Sequence, residues 1–245
     1  MQELYPGRVF LGAGSGEALN EVPLGLDWPE PAEMLTRFEA GLQAITRLWD
    51  GETLTMDGGW FRLKDAKLYT RAKARPKLYV SAFGRQAAQI AARYGDGLWT
   101  MGDPESAPNV IEAYRDACAR NGKDVGEVIL QAAFNLAADE QTAIASSRKW
   151  KATQVDEVYR DDLHDPAEML AKADAEITDE EFAKEGFIVG ADPGEHVERI
   201  RELEAIHDAT TTIVLQLIGA DPMGSIRRYG EHVLPALRGV RATAS

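Results

Sequence analysis

Residues 78–101, LYVSAFGRQAAQIAARYGDGLWTM, decide how this chain folds. Leu78–Ala82 is a short apolar run with β-forming residues and reads as a buried strand. Gln86–Tyr94 follows with helical spacing, and Gly97–Met101 is a second buried strand. A buried strand, a helix and another buried strand in close succession describe a parallel sheet flanked by helices.

The same alternation extends in both directions. Upstream, Arg8–Gly14 is a buried strand ending in the glycine-rich turn Gly12-Ala13-Gly14-Ser15-Gly16. Met34, Leu35, Phe38, Leu42, Ile45, Leu48 and Trp49 then recur at helical spacing, predicting an amphipathic helix over 32–49 with Gly51 as its C-cap. A β-hairpin excursion occupies 52–76, with Asp57-Gly58-Gly59 as its turn. Downstream come a helix at 109–120, a strand at 128–134 and a helix at 139–151. The stretch 152–190 reads as an irregular acidic insertion with weak helical patches. A helix from 192 to about 206, a strand at 211–218 and a closing helix at 225–238 complete a chain expected to form a single domain, 1–245. Five βα units fit a doubly wound sheet or five-eighths of a (β/α)8 barrel.

Composition removes several function classes. The net charge is -13 and no basic cluster is evident, which argues against nucleic acid and against an anionic membrane surface. No apolar run approaches the length of a membrane span, and Met1–Pro6 has no signal-peptide character, so the expected location is cytoplasmic. The lone cysteine, Cys118, forms neither an intramolecular disulfide nor a cysteine-based zinc site. His164, His196, His207 and His232 lack metal-ligand spacing, and no metal is expected. No GxSxG elbow is present.

Ligands of parallel α/β folds bind at the carboxyl ends of the strands. After the first strand, Gly14 and Gly16 allow close backbone approach, while Ser15, Glu17 and Asn20 offer polar groups to a ligand edge. The spacing is not the GxGxxG dinucleotide fingerprint. After the second strand, Ser81, Ala82, Phe83, Gly84, Arg85 and Gln86 lead directly into a helix. Unpaired amides and the positive dipole end there form a phosphate seat, to which Ser81 and Arg85 add donors.

Three segments together resemble one family. GRVFLGAGSGEALNE (7–21), LYVSAFGRQAAQIAARYGDGLWT (78–100) and LIGADPMGSIRRYGEHVLPAL (217–237) are similar to the luciferase-like superfamily. Within it they resemble the coenzyme F420-dependent oxidoreductases related to glucose-6-phosphate dehydrogenase. The resemblance implies an incomplete (β/α)8 TIM-barrel-type fold, lacking three leading βα units of about 30 residues each, or about 90 residues. It implies a deazaflavin ring lined by Ser15, Gly16, Glu17 and Asn20, with Gly14 beside them. The phosphate-bearing tail would be held by Ala82, Phe83, Gly84, Arg85 and Gln86. Glu17 matches the family's acidic residue concerned with proton handling and is the expected catalytic residue. The implied activity is hydride transfer between the deazaflavin and a small organic alcohol or carbonyl, by an expected homodimer. An FMN-dependent monooxygenase, or an inactive barrel working through a partner chain, is the alternative. Glucose-6-phosphate-specific members carry a Lys after the GDG strand and an Arg in the tail loop. This chain has Asp103-Pro104 and Asp221-Pro222-Met223 instead, so glucose 6-phosphate is not the expected substrate.

Overall fold

The computed structural model describes residues 1–155, 163–184, 187–206 and 211–241, with only the backbone described at 211, 240 and 241. Two compact units are present. The first comprises 1–15, 29–100 and 105–129; the second comprises 16–28, 101–104 and 130–245.

In the first unit, β1 (Phe10–Ala13), β4 (Lys77–Ser81) and β5 (Gly97–Met101, whose last residue falls in the second unit) are parallel neighbours. The register runs Ala13 to Val80 and Ser81 to Trp99. Between β1 and β4 lie α2 (Pro31–Asp50) and the antiparallel hairpin β2 (Leu54–Asp57) with β3 (Arg62–Ala66). The helix begins with Pro31, whose missing N–H costs nothing at that position. It ends at Gly51, which adopts φ 91° as a left-handed cap. Helix α3 (Arg85–Tyr94) follows β4, and α4 (Ala107–Arg120) follows β5. These two helices meet through alanine-rich faces, with Ala88, Ala91, Ala92, Ala113 and Ala117 all buried. Small side chains let the helices approach closely while Leu78, Val80 and Leu98 fill the space above the sheet.

The lower edge of this unit is held by Asp96. Its backbone N–H donates to the Leu78 carbonyl at 2.7 Å, and its carboxylate accepts from the Leu78 N–H at 2.8 Å. Arg75 adds a bidentate pair, with Nη2 2.7 Å from Oδ1. Burial pushes the Asp96 carboxyl up, but the Arg75 guanidinium and the Leu78 amide reverse the sign and hold it below the ordinary aspartate value. Glycine is required on both sides. A Cβ at Gly97 would lie 2.5 Å from the Glu127 carbonyl oxygen, and one at Gly126 only 2.0 Å from the Asp96 carbonyl oxygen.

In the second unit, β6 (Glu127–Leu136, its first three residues belonging to the first unit) pairs in parallel with β7 (Phe187–Gly190) and also pairs with β8 (Thr211–Leu217). Short α1 (Ala18–Glu21) runs into a 3-10 turn, Val22–Leu24. After β6 come α5 (Glu140–Ser147) and a 3-10 segment, Arg148–Gln154. Then follow α6 (Pro166–Glu176) and α7 (Asp179–Lys184). Helix α8 (Pro193–Ile206) follows β7, and after β8 the chain closes with α9 (Pro222–Arg228), a π-helical turn at Tyr229–Val233, and α10 (Leu234–Arg241).

The segment read from sequence as irregular thus holds two helices and a strand. A charge cluster explains why. Lys151, only 2% exposed, places Nζ 2.7 Å from both Asp174 and Asp179. Arg148 pairs with the same two carboxylates. Burial alone would lower the Lys151 pKa, but the two carboxylates outweigh it and raise it. Acidic residues that look like a solvated surface in sequence are here the counter-ions of a buried lysine.

His196, on a helix rich in charged residues, is only 2% exposed. Its Nδ1 lies 2.7 Å from the Tyr229 hydroxyl inside a core of Phe134, Ile188, Val197, Ile200 and Val233. Nε2 is buried without a hydrogen-bond partner among the described residues. Burial pushes the imidazole pKa down to about 4.

Two outcomes follow from this packing. Gly126→Ala forces a methyl group against the Asp96 carbonyl, and urea unfolding should register a loss of about 1–3 kcal/mol. His196, with its folded pKa of about 4 below the unfolded value, contributes stability that is fully present above about pH 6.5 and is lost as pH falls through 4. Between pH 7 and 5 the parent protein should therefore lose about 2 kcal/mol more than His196→Asn does. Equal pH slopes for the two proteins would refute it.

Candidate functional site

Parallel pairing of β1 and β4 puts the two expected ligand loops at the same end of the first unit's sheet. The Ala13–Val80 register brings Gly14 beside Ser81, and a Cβ on Gly14 would sit 3.7 Å from the Ser81 Cβ. Ser15 and Ser81 are half-buried there. Ala82 is buried, and its N–H completes the ladder by donating to the Trp99 carbonyl at 2.9 Å. That amide is therefore engaged in the sheet.

Gly84 is the N-cap of α3 with extended backbone, φ -146° and ψ 163°, and supplies no side-chain cap. The first-turn N–H groups of a helix have no partner within it, and here no capping side chain takes their place. A Cβ at Gly84 would meet nothing within 4 Å, and Phe83 beside it is 62% exposed. Gln86 is exposed as well. Arg85 turns to Glu112 on α4, Nη1 to Oε2 3.6 Å, with both side chains more than half exposed. An open, uncapped helix start flanked by an exposed aromatic ring and a mobile-length cation can accept an anion.

Gly16, Glu17 and Asn20 belong to the second unit. Gly16 has φ 91°, a conformation that favours glycine, and packs toward Glu21 and Trp28. Glu17 is the N-cap of α1, with its carbonyl accepting from the N–H groups of Asn20 and Glu21. Its carboxylate does not cap the helix. It accepts instead from the Asn20 side-chain amide, Nδ2 to Oε2 2.9 Å. One turn of helix thus couples the two residues that the sequence singled out, and Asn20 fixes the orientation of the Glu17 carboxylate.

The remaining histidines add nothing to this site. His232 is exposed on the π-helical turn beside Glu231, and His207 lies outside the described residues. Among the described residues no group of three His, Cys, Asp or Glu side chains could hold a metal. No described helix is long and apolar enough to cross a membrane.

The polar groups missed by sequence reading lie deeper. Asn135, 2% exposed near the carboxyl end of β6, places Nδ2 2.9 Å from the Ala143 carbonyl and from the Ser146 and Ser147 hydroxyls. A lone Asn inside an apolar strand was the available signal.

Strands in parallel register with ligand loops at their carboxyl ends define an α/β protein of the luciferase-like barrel type, and the chain belongs to that family. The model for the luciferase-like monooxygenases matches residues 1–210. A relative from Microbacterium testaceum, named F420-dependent glucose-6-phosphate dehydrogenase, is 36% identical over 96% of this chain and 70% of its own length. One of the same name from Beutenbergia cavernae is 35% identical over the same shares. Among solved structures, an F420-dependent secondary alcohol dehydrogenase in complex with an F420-acetone adduct superposes with a TM-score of 0.86. It is 27% identical over 97% of this chain and 72% of that one.

The geometry makes the Arg85–Glu112 pair a poor stabiliser, since exposed pairs gain little. Arg85→Gln and Glu112→Gln should each change unfolding stability by less than about 0.5 kcal/mol in denaturant titration. A larger loss would mean that Arg85 is built into the fold and not held for a ligand.

Proposed function

We propose that this chain is an oxidoreductase that binds coenzyme F420 and acts on a small uncharged alcohol or carbonyl. The observation that carries the reading is the side-by-side exit of the Gly14 and Ser81 backbones onto the uncapped start of α3. Relatives named F420-dependent at 35–36% identity support the choice of cofactor.

Open space and uncapped amides at the start of α3 support the reading. Gly84 leaves space where any other side chain would stand, and the α3 amides have no side-chain cap. Ser81, Gly84, Arg85 and Gln86 would hold the anionic tail, while Gly14, Ser15 and the exposed Phe83 face would border it. Gly16, Glu17 and Asn20 would border the ring, which supplies two-electron hydride chemistry when bound. Glu17 holds or releases a proton at its carboxylate, and the Asn20 amide keeps that carboxylate oriented. Ala82 would border the tail as well, with its amide bonding β4 to β5 and so positioning the loop.

The substrate reading rests on charge. Asp103 follows β5, and Asp221 caps α9 by accepting from the Gly224 N–H at 2.9 Å. Carboxylates at these two loops oppose a dianionic phosphate ester, so a neutral substrate is favoured over glucose 6-phosphate. A homodimer is the assembly in which we place this activity.

Titrating the full chain with coenzyme F420 and with FMN tests the proposal. Expected is saturable uptake of F420 with much weaker FMN binding, and Arg85→Gln weakening F420 by about 3–10-fold. With F420 bound, 2-propanol should be oxidised and glucose 6-phosphate should not. FMN preferred over F420, or no uptake of either, would overturn the cofactor assignment.

A further inference from the structure

Asn135 does more than fill the core. Its carboxamide is a crosspiece between two βα junctions of the second unit. On one side, Nδ2 meets the Ala143 carbonyl, Ser146 Oγ and Ser147 Oγ of α5, each at 2.9 Å. On the other, Oδ1 accepts from the Ser225 hydroxyl of α9 at 3.3 Å. Ser225 also lies 2.9 Å from the Leu136 carbonyl, and Arg228 reaches that oxygen at 3.2 Å. The loop between β8 and α9 lies flat against this group: a Cβ on Gly219 would sit 2.0 Å from Asn135 Oδ1. Ile218 is tied alongside, its N–H donating to the Phe134 carbonyl at 3.0 Å.

Both junctions leave the carboxyl ends of parallel-barrel strands, where this architecture places its substrate. The loop 218–221 carries Asp221, and the segment 137–139 leads to Asp139, which caps α5 through the Thr142 N–H at 2.8 Å. A buried amide with donors on one side and an acceptor on the other fixes two loops relative to each other, because leaving either half unpaired costs a desolvated polar group. We infer that Asn135 is a positioning residue that sets the two loops bounding the substrate, and that Ser225 and Gly219 transmit its position to the Asp221 loop. The part of this inference that concerns substrate rests on the proposed function; the coupling of the loops does not.

The two halves of the amide can be separated. Asn135→Asp keeps the acceptor toward Ser225 and removes the donors toward α5. Ser225→Ala removes the α9 side alone. Hydrogen exchange of the full chain without added ligand should show faster exchange confined to 138–147 in the first variant. In the second it should be confined to 219–226. Uniformly faster exchange in either variant would reduce Asn135 to a core residue and overturn the positioning role. With F420 bound and 2-propanol as probe, both variants should raise KM at least threefold while kcat stays within twofold and F420 affinity is unchanged. An unaltered KM would remove the substrate role even if the exchange pattern holds. Failure of the parent chain to take up F420 would sink the proposed function and leave the exchange result to decide the coupling.

Discussion

The first unit depends on how closely the backbone around Asp96 approaches its neighbours. Gly97 and Gly126 leave no room for a Cβ, and the Asp96 carboxylate satisfies the Leu78 amide while pairing with Arg75. A buried N–H left unpaired would cost more than an ordinary hydrogen bond contributes, so Asp96 both ends β4's ladder and starts β5. With the lower ends of these strands fixed, the β4–β5 register that sets Ser81 against Trp99 is fixed, while the separate pairing of β1 with β4 brings Gly14 beside Ser81. The loop that opens α3 is thus set from the opposite end of β4 and β5. Tyr114 joins the same constraint, its hydroxyl accepting from the Gly126 N–H at 3.2 Å.

Local periodicity was enough to read the elements that build this sheet. Strands at 10–13, 77–81 and 97–101, with helices at 31–50 and 85–94, lie within a few residues of their expected places. Burial follows the reading at β4 and β5, but β1, expected to be buried, has no buried residue, and Phe10 is 52% exposed. The loops were legible for the same reason, since a site at strand ends is located once the strands are. What the loops do was less legible. Nothing in SAFGR shows that the Ala82 amide is consumed by Trp99 or that Arg85 leans on Glu112, because both partners come from another βα unit.

The second unit is less legible in its sequence, and the reasons are tertiary. Phe187–Gly190 is only four residues and has no flanking pattern, yet it pairs with β6 along its whole length. Helices at 166–176 and 179–184 carry so many acids that composition points to solvent. They are held by Lys151 and Arg148, charges more than 20 residues away from both aspartates. His196 sits among charged neighbours in sequence, but the helix turns it inward to Tyr229 at the start of the π-helical turn. No one-dimensional pattern distinguishes such a residue from its exposed neighbours on α8.

Polar groups buried behind the sheet divide into two kinds. The Lys151 cluster joins the 3-10 segment after α5 to α6 and α7, and the His196–Tyr229 pair joins α8 to the π-helical turn, so their effects are on stability and its pH dependence. Asn135 lies near the end of its strand, where the same chemistry acts on connecting segments. An amide placed there has a consequence that an amide in mid-strand lacks. The junctions after β6 and β8 both bond to it, and a Cβ on Gly219 would lie 2.0 Å from its Oδ1. The luciferase-like frame tolerates many substrates by varying its loops. In this chain one carboxamide bonds to the junctions after β6 and β8, while Asp221 also caps α9 through the Gly224 N–H, so replacing Asp221 changes the charge and the helix start together.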